Sequence, residues 1–241
     1  MDFEVEVNAV MPLPKDEVRH IGKVLRGRDG DSLEIVDAAR RLFAAELSDG
    51  GWSAVAIERL EAGEDRGEVT LCAAVPKGRH MDLVVEKATE LGVGRVVPLI
   101  TEYGVVRLDD GRSKLERWRR VAEAAARQSL RLFVPEVSEP VTFPEAAEEV
   151  GRSGVLLHNI GESSELEQVV EHPPVTVFVG PEGGWSDKEV EEAVVWGMSV
   201  ARMGDFRLRS ETAAIVAVAR AMAVLDTLDR RGTTQVLGEE V

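Results

Sequence analysis

The chain has 241 residues, 44% of them hydrophobic, with 29 Lys+Arg against 44 Asp+Glu and a formal net charge of −15. That composition buries a sizeable core and excludes wholesale disorder. The single Cys72 excludes a disulfide framework, and four scattered histidines (His20, His80, His158, His172) show no ligand spacing, so no metal is expected.

In chain order, the N-terminal MDFEVEVNAV lacks the basic and apolar regions of a signal peptide, and no uninterrupted apolar run reaches the roughly 18 residues of a membrane span. A cytoplasmic protein without membrane contact is expected. Residues 1–66 read as short strands with glycine turns: EVEVNAV (4–10), DSLEIVD (31–37), RLFAAEL (41–47) and WSAVAIERL (52–60). Between the first two, KDEVRHIGKVLR (15–26) reads as a helix with Val18, Ile21, Val24 and Leu25 on one face. A small β-barrel with one helix is the natural shape, and the polar EAGEDRG (61–67) is the linker that follows it.

From Val69 the rhythm becomes strand, helix, strand. VTLCAAV (69–75), GRVVPLI (94–100), GVLLHNI (154–160), VTVFVG (175–180) and SVARMG (199–204) read as buried strands. Helices are expected at MDLVVEKATELG (81–92), with Leu83, Val84, Lys87 and Leu91 on one stripe, and at SKLERWRRVAEAAARQS (113–129). Further helices are expected after Thr142, after Ser186 and from Ser210, with a frayed tail after Arg231. Capping boxes are expected at Ser113–Glu116, Thr142–Glu145 and Ser186–Glu189. The alternation predicts an α/β domain over 67–241 with a mostly parallel sheet.

In such a sheet, ligands bind beyond the carboxyl ends of the strands. Three loops leave those ends with unusual composition: LLHNIGES (156–163), VGPEGGWS (179–186) and MGDFRLRSETA (203–213). In the second, Gly180, Gly183 and Gly184 allow close backbone approach and Pro181 fixes a turn, yet no Lys follows to hold phosphate, and Glu182 would repel one. A neutral or cationic ligand fits better, although the bare pattern also describes an ordinary turn. Arg209 and Glu211 in the third loop fit a structural ion pair as well as a site. Lys15–Arg28 holds five basic residues, and residues 112–131 carry seven basic residues against two acidic. These two basic patches oppose the acidic total and suit contacts to phosphates.

Taken together, RHIGKVLRGRDGDSLEIVDA (19–38), MDLVVEKATELGVGRVVPLIT (81–101), RQSLRLFVPEV (127–137), GPEGGWSDKEV (180–190) and LRSETA (208–213) resemble the 16S ribosomal RNA uridine-N3 methyltransferases. That family belongs to the SPOUT, or trefoil-knot, class. The likeness runs from about residue 15 to 225 in the family's order, and GPEGGWS with LRxETA is its most specific part.

The resemblance implies a PUA-like β-barrel RNA-binding domain (1–66) and a knotted α/β methyltransferase domain (67–241) that forms a homodimer. It implies S-adenosyl-L-methionine as cofactor, held by Leu157, His158, Gly180, Pro181, Glu182, Gly183, Gly184, Met203, Gly204, Leu208, Arg209 and Thr212. Arg209 would stabilise charge on the uracil, with Glu211 orienting it or moving the proton. Arg19, His20, Arg26, Arg28, Arg127, Gln128 and Arg131 would contact 16S rRNA in the small subunit. Two departures stand out: Phe206 where the family carries Arg, and Leu130 where it carries Gly. The alternatives are a non-catalytic RNA-binding or ribosome-assembly factor, and a SPOUT methyltransferase acting on another RNA.

Overall fold

The computed structural model describes residues 4–61, 67–104, 111–159 and 163–237, and the chain folds as two compact units. The first comprises Met1–Asp65 together with Arg127–Phe133; the second comprises Arg66–Ala126 and Val134–Val241. Most of the expected linker 61–67 lies outside the described residues.

In the first unit, β1 (Val10–Pro12), α1 (Lys15–His20), β2 (Ser32–Val36), β3 (Leu42–Ser48) and β4 (Ser53–Leu60) follow one another. The strands form an antiparallel sheet in the order β1-β4-β3-β2. Alternation turns Phe43, Ala45 and Leu47 of β3 to the core, where they meet Met11, Ile35, Ala54 and Ala56. The strand expected over 4–10 forms only at its last residue, Val10, and runs on to Pro12. A turn at Asn8 (φ +68°), with the Ala9 amide donating to Glu6 O at 3.0 Å, breaks the alternation before β1. Helix α1 continues as a π-type turn over Ile21–Leu25, placing Ile21 in the core, and ends on Arg26 in a left-handed conformation (φ +55°).

One buried carboxylate ties this unit together. Asp37 accepts from the Val5 amide (3.1 Å), the Arg41 amide (2.9 Å), Arg41 Nε (2.9 Å) and Arg41 Nη2 (2.6 Å). Burial by itself raises the Asp37 pKa, but the bonds from Arg41 and the two backbone amides outweigh burial and hold it below its ordinary value. A group with a lowered folded-state pKa stabilises fully above its unfolded value, about 3.9, and loses that contribution as pH falls through the folded value. Asp37→Ala is therefore expected to lower the unfolding temperature of this unit by about 5 °C or more at pH 7, the shift given by roughly 1 kcal/mol in a unit of this size. The difference from wild type should shrink at strongly acid pH. A calorimetric midpoint unchanged at pH 7 would remove Asp37 from the unit's stability.

The second unit contains β5 (Val69–Ala74), α2 (His80–Glu90), β6 (Arg95–Ile100), α3 (Gly111–Gln128), β7 (Glu136–Val137), β8 (Val141–Thr142) and α4 (Phe143–Val150). It continues with β9 (Gly154–Leu157), β10 (Ser164–Glu165), α5 (Leu166–Val169), β11 (Val175–Val179), α6 (Asp187–Val195), β12 (Ser199–Arg202) and α7 (Ser210–Leu237). The sheet runs β10-β12-β9-β11-β5-β6-β7, with β8 also on β6, and every pairing is parallel.

Both faces of the sheet are covered, which is why its central strands read as unbroken apolar runs. Leu71, Ala73 and Val177 pack on one face with Val84, Val85, Ala217 and Ala221; Cys72 and Phe178 pack on the other with Phe143, Ala147 and Trp185. Thr142–Glu145 and Ser186–Glu189 form capping boxes as expected. Ser113 does not, because α3 begins two residues earlier at Gly111. The buried stripe of α2 is Met81, Val84, Val85 and Ala88, while Leu83 faces outward, so the expected stripe is rotated. Gly92 closes that helix at φ +99°, and α7 runs on to Leu237, past Arg231.

Candidate functional site

Strands β12, β9 and β11 are parallel neighbours, so their carboxyl ends deliver three loops to one edge of the sheet. There the loops enclose a cavity of about 450 Å³, within the size range of small-molecule sites.

Each pair of loops is tied by one hydrogen bond. Trp185 Nε1 donates to Leu157 O at 3.0 Å, joining the β11 loop to the β9 loop. Asn159 Nδ2 donates to Gly204 O at 3.3 Å, joining the β9 loop to the β12 loop. Arg207 Nη2 donates to Glu182 O at 3.1 Å, joining the β12 loop to the β11 loop. The three bonds link the described parts of the loops pairwise around the cavity.

Glycine is required here by contact as well as by conformation. A Cβ on Gly180 would stand 3.0 Å from the Trp185 indole, which is itself seated against Phe143 with ring centroids 5.0 Å apart. Gly184 turns with φ +80°, its amide donating to Pro181 O at 2.9 Å, and nothing lies within 4 Å of the space its Cβ would take. Ser186 then caps α6, and Glu189, the third residue of its capping box, also accepts the Glu102 amide at 3.0 Å. That bond holds the β6 loop beside the site.

Of the twelve expected cofactor contacts, Leu157, His158, Gly180, Pro181, Glu182, Gly183, Gly184, Met203 and Leu208 line the cavity. Gly204, Arg209 and Thr212 do not; Arg209 is exposed at the start of α7, where its carbonyl accepts the Ala213 amide at 2.8 Å. The expected Arg209–Glu211 pairing is absent among the described residues. Glu211 Oε1 lies 3.3 Å from His80 Nδ1, and with its side chain only 12% exposed it joins the starts of α7 and α2. The sequence reading missed Asn159, Trp185, Phe206, Arg207 and Ser210, all lining the cavity. Trp185 had a usable signal, since it directly follows the glycine run. The β9 loop residues 160–162 lie outside the described residues.

Among the described residues the lining holds the carboxylates of Glu182 and Asp205 and one cation, Arg207, already engaged with a carbonyl. Burial holds His158 below its ordinary pKa, only partly opposed by the nearby Asp187 carboxylate, so the imidazole is neutral at pH 7. This field suits a neutral or cationic ligand and disfavours a polyphosphate.

The seven expected RNA contacts share one compact unit. Arg19 and His20 end α1, Arg26 and Arg28 follow the π-type turn, and Arg127, Gln128 and Arg131 belong to the segment Arg127–Phe133 grouped with them. Arg131 lies 4.4 Å and Arg40 5.8 Å from the Phe133 ring centroid, so both cations rest against that aromatic. Not all of the basic helix α3 is free for such contacts, since Arg117 pairs with Asp82 and Arg119 Nε donates to Val137 O at 3.1 Å.

Residues 63–222 match a family described as the RNA methyltransferase domain, and residues 13–52 match the RNA methyltransferase PUA domain. The chain is 31% identical to the ribosomal RNA small subunit methyltransferase E of Synechocystis, over 92% of this chain and 75% of that protein. It is 31% identical to the protein of the same name from Mycobacterium bovis, over 90% of this chain and 88% of that one. A crystal structure of the Neisseria gonorrhoeae ribosomal RNA small subunit methyltransferase E bound to S-adenosyl methionine superposes with a TM-score of 0.79. It is 27% identical and covers 93% of this chain and 96% of its own.

Proposed function

This chain belongs to the ribosomal RNA small subunit methyltransferase E family, and from that premise we propose that it transfers a methyl group from S-adenosylmethionine to N3 of a uridine in 16S rRNA. The observation that carries the reading is the cavity: three cross-tied loops, glycines that clear its walls, two carboxylates and a neutral imidazole. Its size and charge fit a nucleoside bearing a sulfonium.

When bound, that cofactor supplies an electrophilic methyl carbon. The protein's part is to hold and to position. Leu157, His158, the Gly180–Gly184 turn, Met203 and Leu208 form the walls, and Gly204 and Thr212 support the third loop and the first turn of α7. The uracil N3–H is a weak acid, and its proton passes to solvent water before nitrogen attacks. Arg209, at the rim between lining residues Leu208 and Ser210, offers a cation to the ring oxygens that then carry the charge. Glu211 fixes the start of α7 through His80 and thereby aims Arg209. The target base enters unpaired, flipped from its stack or already single-stranded. Arg19, His20, Arg26, Arg28, Arg127 and Arg131 hold phosphates, and Gln128 contacts the base.

The same reading places the RNA-binding domain at 1–66 and the methyltransferase domain at 67–241. It includes a knotted chain path, a homodimer through the second domain and action in the cytoplasm. The test is to incubate the purified protein with labelled S-adenosylmethionine and small subunits lacking the modification, then map the methylated nucleoside. Label at uridine N3 of 16S rRNA is expected. Label at another nucleoside or RNA would move the target, and cofactor binding without transfer would leave a binding factor.

The neutral His158 gives a pH prediction. Its folded-state pKa is lowered, so it gains a proton only as pH falls below its ordinary range. An imidazolium in the cavity wall repels a sulfonium, so S-adenosylmethionine affinity is expected to weaken several-fold from pH 7.5 to about 5. S-adenosylhomocysteine, which carries a neutral thioether, should lose less over the same range. Parallel losses for the two ligands by calorimetry would clear His158 of this role.

A further inference from the structure

Phe206 lines the mouth of the cavity with 84% of its surface exposed, the most exposed large apolar residue among the described ones. Its neighbours are anchored on both sides. Asp205 Oδ1 is 3.3 Å from Arg202 Nη1, and Arg207 Nη2 is 3.1 Å from Glu182 O. The side chains on either side of Phe206 thus have partners, while its ring stands out in solvent.

The surroundings narrow what the ring can serve. Arg207 follows it directly and Arg209 three residues on, while Asp205 precedes it. A second protein copy would need roughly 800 Å² of complementary surface per partner, whereas this is one ring in a charged rim. An exposed aromatic beside cations suits single-stranded nucleic acid, in which the ring takes a base face.

We propose that Phe206 is a stacking platform for an unpaired base of the substrate RNA, positioning that base at the cavity mouth. The proposal rests on the reading of the chain as an RNA methyltransferase, and it goes further by naming how a base is held before transfer. Phe206 is a positioning residue: Arg209 handles charge at the base edge, while the ring fixes the plane.

The test measures binding by the full chain without methyl transfer, using two probes at low salt: a ten-nucleotide oligouridylate and the same sugar-phosphate backbone with its bases removed. Phe206→Ala is expected to weaken oligouridylate binding about tenfold and to leave abasic binding unchanged. Phe206→Trp, which keeps an aromatic face, should bind oligouridylate as tightly as wild type.

Equal losses on both probes with Phe206→Ala would overturn the proposal, as would unchanged oligouridylate binding. A loss of S-adenosylmethionine affinity in the same variant, measured without RNA, would make the ring a cofactor cover and also overturn it. A changed sedimentation coefficient would make the ring a contact between copies, with the same consequence. The two readings fail separately. Oligouridylate binding that depends on Phe206, without methylation of uridine N3, sinks only the transfer reading; methylation with binding indifferent to Phe206 sinks only this one.

Discussion

Arg209→Ala is expected to lower turnover about 10²–10³-fold while leaving the fold intact and S-adenosylmethionine affinity within a few-fold of wild type. The magnitude is that of removing one preorganised group that meets developing charge, about 2.7–4 kcal/mol. The selectivity follows from position. Arg209 is exposed, does not line the cavity and has no ion pair among the described residues, so its loss uncovers no buried partner. Its structural contribution is a carbonyl that accepts the Ala213 amide, and any residue supplies that. Arg209→Lys keeps the charge but loses the planar fork, and partial activity is expected. Glu211→Gln should cost less than Arg209→Ala, because it weakens the tie to His80 without removing the cation. Single-turnover rates with saturating cofactor decide the matter: wild-type rates in Arg209→Ala would take Arg209 out of the chemistry.

The second half of the fold was legible because parallel strands bury both faces and leave continuous apolar runs, which VTVFV and VTLCAA display. The cavity was legible for a related reason. Gly180–Gly184 and Gly204 are confined to strand ends, and a parallel sheet brings such ends together. What the sequence hid is non-local. Nothing near Glu211 signals that its carboxylate goes to His80, since α2 and α7 meet only in the folded sheet.

The sequence left Arg209 and Glu211 open between a structural ion pair and a site, and among the described residues Glu211 pairs with His80 instead. Likewise, the segment Arg127–Phe133 reads as the end of a helix in the second domain, yet it packs in the first compact unit. Leu130 shows a pattern from resemblance meeting physics. The resemblance implies Gly there, and this chain keeps the left-handed backbone (φ +55°) that favours Gly, bearing an exposed leucine side chain. At Asn8 the alternation of 4–10 misled, because a turn there delays the strand to Val10–Pro12.

Gly94→Ala is expected to destabilise the second unit by about 4 kcal/mol, in the range that single substitutions reach only through a named steric or electrostatic conflict. Gly94 lies just before β6, in the parallel ladder: its amide donates to Val69 O at 2.9 Å and its carbonyl accepts the Glu136 amide at 3.1 Å. A Cβ there would stand 2.0 Å from Gly67 O, 2.6 Å from Gly67 C and 2.7 Å from Gly67 Cα. All three obstructing atoms are backbone, so no rotamer change relieves the clash. Either residues 67–69 peel away from β6, or β6 shifts and loses its bonds to β5 and β7. The first escape also disturbs β11, because Glu68 O accepts the Val175 amide at 3.0 Å. Gly22→Ala is the control: its Cβ meets nothing within 4 Å, and no comparable loss is expected. Urea midpoints for the two variants separate close approach from the general cost of altering glycine, and a wild-type midpoint for Gly94→Ala would show that 67 and 94 do not pack this closely.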